Sequence, residues 1–378
     1  MRVSNYMREV NPTRTSINTQ IDKMGRGDLT HLLSYAATVG PERALCEYSA
    51  RLCYNSIGKM GTSPNFIAKV LGSGHLSVAE HPSVAMPIDK LITPVLGIKP
   101  TNATPLSQKK NARVQEINRL VRYNRFFTQF PGFIAGNLRS WFEVIGEMRY
   151  NPMMEVFLSI IPEAFESVPA FSELEISRLI DSQPVSVPGY FGSDVGRHNC
   201  VLLAVNPGSF DRILDRTPKS SGWHPWARYT FLIENVSRNL THQLVRHRGG
   251  SFSQESQRYV DAREVKFVFP PNVDYTKQVK MAEHFRDSIA LYEQLREDGV
   301  KKEDARFILP GAAATRLVAS FDLKELVHFL NVRCAKDAQW EIRRLARTMA
   351  MQAMLALPFP QLEKVVKEYE INELDDGE

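Results

Sequence analysis

The chain has 378 residues, 43% of them apolar and 24% charged, a globular composition without the low hydrophobicity of a disordered protein. Its net charge of +5 comes from 47 Lys and Arg spread among 42 Asp and Glu, which argues against a basic coat for nucleic acid and leaves room for a local anion site. Four scattered cysteines, Cys46, Cys53, Cys200 and Cys334, make no disulfide framework, and no apolar run approaches the ~20 residues of a membrane span, so the expected address is the cytoplasm.

Residues 1 to about 30 are polar and irregular, read as an arm, and lack the apolar core of a signal peptide. In PERALCEYSARLCYN, beginning at Pro41, the residues Ala44, Tyr48 and Leu52 recur every four positions and predict a helix. SPNFIAKVLGSG predicts a second helix with Ser63 as its cap and Gly72 or Gly74 as its stop. HPSVAMPID predicts the beginning of a strand. From about 91 to 226 the texture changes. Two Pro-rich connectors, TPVLGIKPTNATPLSQKKN and DSQPVSVPGYFGSDVGRHN, enclose helical patches around GNLRSWFEVIGEM and NPMMEVFLSIIPEAF. We read this as a largely helical insertion in a single domain, 1–378, whose core is about 41–90 and 227–358.

RYTFLIENVSRNLTHQLVRHR begins as a strand at YTFLI and continues as a helix capped by Asn235 or Ser237. Val236, Leu240 and Leu244 form its apolar stripe, while Asn239, Gln243, Arg246 and His247 follow another face to the point where two glycines are expected to break the helix. Farther on, Asp322 and Glu325 have capping-box spacing, and Ala338, Ile342, Leu345 and Met349 mark the core stripe of a last helix. Arg343 and Arg344 read as a charged helix face with Glu341.

The densest chemistry lies in RHRGGSFSQESQRY, residues 246–259. Arg246 and Arg248 are fork-shaped donors for phosphate or carboxylate, His247 can titrate or stack, and Gly249 and Gly250 allow close backbone approach. Ser251, Ser253, Gln254, Ser256, Gln257 and Arg258 supply further polar groups, so the stretch suits a phosphorylated small molecule better than a solvated helix end. Arg306 and Arg333 are outlying cations that call for an anionic partner. There is no Gly-x-Ser-x-Gly elbow, no cysteine stands beside a histidine, and HLSVAEH fits neither HExxH nor HxxEH, so no metal is expected.

RHRGGSFSQES, an Arg-His-Arg followed by seven residues and Ser, resembles the signature of the flavin-dependent thymidylate synthases, the ThyX family, and QRYV extends the match. ARLCYNS, GHLSVAEHP, VSRNLTHQLVRHR, EDARFILP and ELVHFLNVRCAKDAQWEIR resemble other segments of that family, in the same order. The resemblance implies an α+β fold with a mostly antiparallel central sheet flanked by helices, and a homotetramer with shared active sites. It implies reductive methylation of dUMP to dTMP with FAD as cofactor and NADPH and 5,10-methylenetetrahydrofolate as co-substrates. No membrane or nucleic-acid partner is expected.

By motif position, the resemblance assigns dUMP binding to Gln243, Leu244, Val245, Arg246, Gln254, Glu255, Ser256, Gln257, Arg258, Arg306 and Arg333. It assigns FAD binding to Ser77, Arg246, His247, Arg248, Gln254, Asp322, Leu323, Lys324 and His328. Arg333 is implied as the catalytic group, a cation that favours ionisation of the uracil imide, and Ser256 as a binding residue rather than a nucleophile. Gln254 departs from the Glu found in many members, and the 91–226 segment departs from the usual short link. Two rival readings remain: a flavoenzyme that makes 5-hydroxymethyl-dUMP, and a nucleic-acid-binding module.

Overall fold

Alternation along two strands sets the layers. In β5 (Arg228–Ser237) the residues Tyr229, Phe231 and Ile233 enter one buried cluster and Leu232 enters another; in β7 (Ala314–Asp322) Leu317, Ala319 and Phe321 join the first and Val318 the second. Successive side chains of a strand point to opposite faces, so a sheet with apolar residues on both faces must be covered twice. Helix α1 (Pro41–Cys53) covers one face with Ala44, Leu45, Tyr48 and Leu52.

The other face is covered by α4 (Arg238–Leu244), α7 (Leu323–Arg333), α8 (Trp340–Ala356) and α9 (Pro360–Glu368). The sheet has the order β4-β5-β7-β6, antiparallel throughout, with β4 at Asn199–Asn206 and β6 at Ser251–Gln254. This is the expected α+β architecture. The register of β5 shifts between Ile233 and Val236, where Asn235 has φ +54°; this bulge returns Val236 to the α4 side, in line with Leu240 and Leu244.

The computed structural model describes residues 41–63, 65–87, 128–130, 133–144, 199–206, 227–356 and 359–371, with Leu32, Tyr35, Thr38 and Val39. The expected arm, most of both Pro-rich connectors and the helical patch at 151–165 lie outside the described residues. Within 91–226 the described parts are β2 (Thr128–Phe130), β3 (Phe133–Asn137), α3 (Leu138–Val144) and β4. β3 pairs with β2 and with β1 (Ser83–Pro87) in a second sheet, and β4 forms an edge of the main one.

Several local expectations are corrected. Helix α2 (Phe66–Gly72) starts after Asn65, not Ser63. Its end is a Schellman turn: His75 N–H donates to Val70 O at 3.2 Å and Gly74 N–H to Leu71 O at 3.0 Å, with Gly74 at φ +90°. Ala338 precedes α8 instead of sitting on its stripe. Glu341 is not part of a charged outer face; it is buried and turned toward α4. Helix α5 (Tyr275–Glu297), capped by Asp274, packs Phe285 against Phe267 and Phe269 beside the main layers, ahead of the short α6 (Lys302–Ala305).

Candidate functional site

The site is built around α4. Its cap is Ser237, whose Oγ accepts from Leu240 N–H at 3.0 Å and donates to Glu341 Oε2 at 2.5 Å, while Ser237 N–H donates to Glu341 Oε1 at 2.6 Å. Burial raises the Glu341 carboxyl's pKa, and the two bonds from Ser237 oppose that rise. The helix ends at Leu244 with Val245 as its C-cap, so Arg246 and His247 lie in the following turn and the glycines come after the break rather than causing it. Leu244 is fully buried in the core, as is Leu323, so either could meet a ligand through its main chain only.

At the C-terminal end of α4, three of the expected site residues meet. Arg333, the last residue of α7, donates from Nε to His247 Nε2 at 2.9 Å, from Nη2 to Gln243 O at 3.4 Å and from Nη1 to Gln243 Oε1 at 3.5 Å. Because His247 Nε2 accepts, its proton resides on Nδ1 and the ring is neutral. Burial, then Arg333, then His328 push His247 down to about 4, so the ring stays neutral near pH 7; it packs edge-on against Phe329 at 5.0 Å and His328 at 6.0 Å.

Arg333 is itself shifted down by burial and by the neighbouring Arg246. Among the described residues its three bonds all go to neutral acceptors, and the neighbouring Arg246 adds a second cation.

A second group lies at the N-terminal end of α4, about 10 Å away by the length of seven helical residues. Arg238 Nη2 donates to Glu255 O at 2.9 Å, and Arg316 Nε donates to Glu255 Oε2 at 2.9 Å. Ser256 N–H donates to Cys53 O at 3.0 Å, and Ser256 Oγ accepts from Arg258 N–H at 3.3 Å. Arg258 Nε pairs with Glu303 Oε2 at 3.0 Å, and Arg306 Nε donates to Glu303 O at 3.1 Å. Arg238 is shifted down by burial and then by Arg306, which places the two cations together.

Sequence reading missed Arg238 and Arg316. Arg238 stands eight residues before Arg246, two helical turns and a little more, but one helix pattern alone did not separate it from a solvated first-turn cation. Gln254 ties β6 to α4 and β7, donating from Nε2 to the hydroxyls of Thr241 and Thr315, each at 3.2 Å.

A third candidate wall comprises the turn Leu76–Glu80, which carries Ser77, and the start of α7: Glu80 of the one and Asp322 of the other both favour the charge of buried Arg228. His81 is buried between Ser320 Oγ and Ser253 Oγ, 2.8 Å from each, and Thr230 Oγ1 extends the chain to Ser320 at 2.7 Å. Burial, aided by Arg228, pushes His81 down to about 3. Buried Arg228 donates to Ser251 Oγ at 2.7 Å, and Asp322 and Glu80 favour its charge against burial. Asp322 caps α7 by accepting from Glu325 N–H at 2.8 Å, as the sequence spacing predicted.

The glycines are required by close approach. A Cβ on Gly249 would lie 2.1 Å from the Glu325 carboxyl, and one on Gly250 would lie 2.6 Å from Phe252 and 2.7 Å from Phe321. Phe321 is fully buried and cannot step aside, so Gly250→Ala should destabilise the protein by about 1–3 kcal/mol. Denaturant melts with an unchanged slope check this; an unaltered midpoint would contradict it.

Burial pushes the thiols of Cys53 to about 11 and of Cys46 and Cys334 to about 12, which makes each a poor nucleophile. Among the described residues, no three His, Cys, Asp or Glu side chains gather as metal ligands, and no helix is long and apolar enough to cross a membrane.

Comparison with known proteins bears on the same residues. A family profile described as "Thymidylate synthase complementing protein" matches residues 210–359. The flavin-dependent thymidylate synthase of Nitratidesulfovibrio vulgaris is 46% identical over 140 residues, 34% of this chain and 57% of that one. Those of Geobacter sulfurreducens, 48% identical over 127 residues, and Thermococcus onnurineus, 46% over 126, match 32% of this chain each and 55% and 51% of their own length. The matched part of the chain thus spans about half the length of these curated relatives.

Proposed function

We propose that this chain belongs to the flavin-dependent thymidylate synthases, a reading supported by its likeness to those relatives, and catalyses reductive methylation of dUMP to dTMP with FAD as cofactor and NADPH and 5,10-methylenetetrahydrofolate as co-substrates. The observation that carries the reading is Arg333, a half-buried cation beside Arg246 whose acceptors are all neutral. Such a guanidinium is completed by an anion or by a group that becomes one.

The cations fit the cofactor: Arg246 and Arg248 lie on the turn that follows α4, which Gly249 lets pack directly against Glu325 at the start of α7. Arg246, His247, Arg248, Ser77, His328 and the Asp322–Lys324 stretch would hold FAD, which when bound supplies the hydride that completes the methyl group. Arg258, Arg306 and Ser256 would hold the nucleotide phosphate, Gln243 to Arg246 and Gln257 its polar edges, and Glu255 keeps Arg316 and Arg238 in place around them.

Arg333 would stabilise negative charge at the uracil imide and so activate the neighbouring carbon. His247 orients Arg333 by accepting from Nε while staying neutral, so it adds no competing charge. Ser256 accepts from the Arg258 N–H, in keeping with a binding role. Gln254 holds β6 to α4 with an amide donor, a task a carboxylate would leave to the hydroxyls of Thr241 and Thr315. Exposed Phe307, Tyr259 and Val245 beside these groups are in keeping with a homotetramer that shares its sites.

The test is chemical. Purified protein should be yellow, its flavin spectrum should change on adding dUMP, and dUMP, methylenetetrahydrofolate and NADPH together should give a nucleotide heavier by one methyl group. A hydroxymethyl product would instead establish the alternative flavoenzyme. Colourless protein with steeply salt-dependent affinity for DNA or RNA would favour the nucleic-acid module.

A further inference from the structure

Within the connection between β1 and β5, β3 and α3 lie against the turn that carries Ser77. β1 follows Pro82 directly and pairs with β3 in the register Ser83–Asn137 to Pro87–Phe133. Where β3 ends, Leu138 N–H donates to Pro82 O at 3.1 Å, and Asn137 Oδ1 accepts from Ser140 N–H at 2.8 Å as α3 begins. Leu138 and Trp141 are buried. Between them Arg139 reaches the Glu80 carboxylate, Nη1 to Oε1 at 2.5 Å, with side chains 35% and 13% exposed.

Glu80 occupies a sensitive place. It ends the five-residue 3-10 turn that contains Ser77, it precedes His81, and its charge is felt by the buried Arg228. A 3-10 turn has poorer hydrogen-bond geometry than an α-helix and depends on its side chains for its orientation. Without Arg139, Glu80 loses its ion pair and is left with the field of buried Arg228, so the carboxylate would leave its present place and carry the turn with it.

We propose that the β3–α3 part of the 91–226 segment supports the flavin wall and that Arg139 is a positioning residue: through Glu80 it fixes the Leu76–His81 turn, and with it Ser77. This rests on the reading of that wall as a flavin site. It gives the segment a role that surface decoration would not require.

The test uses the full chain carrying Arg139→Ala, Arg139→Lys, Glu80→Gln and the Ala/Gln double variant. Flavin affinity, dUMP affinity, melting temperature and amide hydrogen exchange across 76–81 are measured for each. Arg139→Ala should weaken flavin binding roughly five- to tenfold, speed exchange across 76–81 and leave the melting temperature close to wild type. Arg139→Lys should recover part of the loss, and the double variant should bind about as weakly as Arg139→Ala alone. Unchanged flavin affinity in Arg139→Ala, or unchanged exchange across 76–81, would overturn the proposal. So would a lysine variant no better than alanine. A wild-type protein that takes up no flavin would instead remove the reading of the wall itself, before any variant is compared.

Discussion

Arg333→Lys is expected to lower kcat/KM for dUMP by roughly 100- to 1000-fold while the melting temperature stays near wild type. The reason is geometric. Arg333 uses Nε on His247 and both Nη atoms on Gln243, so its planar fork is held at the C-terminal end of α4 in one orientation. A lysine keeps the charge but has a single donor group that cannot serve these acceptors and a ligand at once.

Steady-state rates, flavin absorbance and a melt on the same preparation separate the outcomes. Retained kcat/KM would remove Arg333 from its proposed role, whereas a large fall in melting temperature would show that the lysine had disturbed α7. The companion Arg333→Ala should let the pKa of His247 rise, since Arg333 is the second cause of its depression after burial. NMR titration of the ring would read that directly.

Mild acid should destabilise the protein through His81. Its folded value of about 3 lies below the ordinary 6.5, so between these pH values the unfolded chain binds a proton that the folded chain refuses. The contribution to stability is therefore complete above pH 6.5 and is lost as pH falls toward 3. At pH 5 the loss is about 2 kcal/mol from this group. Protonation would give both ring nitrogens a hydrogen to donate and would put a cation beside Arg228. Denaturant midpoints from pH 7.5 to 5 should fall in wild type and fall less in His81→Gln, which keeps donor and acceptor atoms without a titrating ring. Equal slopes for the two proteins would show that other groups govern acid sensitivity.

The elements that could be read in advance are those in which one local pattern decides the outcome. Ala44, Tyr48 and Leu52 fix α1, and Val236, Leu240 and Leu244 fix α4, because a burial stripe at helical spacing leaves few alternatives. The cap Asp322 was legible from its spacing to Glu325, whereas Ser237 was one of two candidates with Asn235, which the β5 bulge takes instead. β4 was not, although CVLLAV is an apolar run of strand length; it lies next to a Pro-rich stretch, and only pairing with β5 makes it a strand.

Site chemistry divides in a similar way. The Arg-His-Arg turn and Arg333 stand out as residue types, whereas the neutrality of His247 depends on a partner 86 positions away. His81 looked like an incomplete metal motif because its partners, Ser253 and Ser320, sit on β6 and β7. Glu341 looked like surface charge because its partner is 104 residues distant.

The two anchors of α4 come from neighbouring parts of the chain. Arg333 grips its C-terminal end at Gln243 and Glu341 grips its N-terminal end at Ser237, and only residues 334–340 lie between the two grips. That short segment therefore acts as a caliper whose jaws close on a single helix. Its length is a dimension of the proposed ligand site, so adding or removing one residue there should shift the two cation groups relative to each other, even where the cores on either side stay folded.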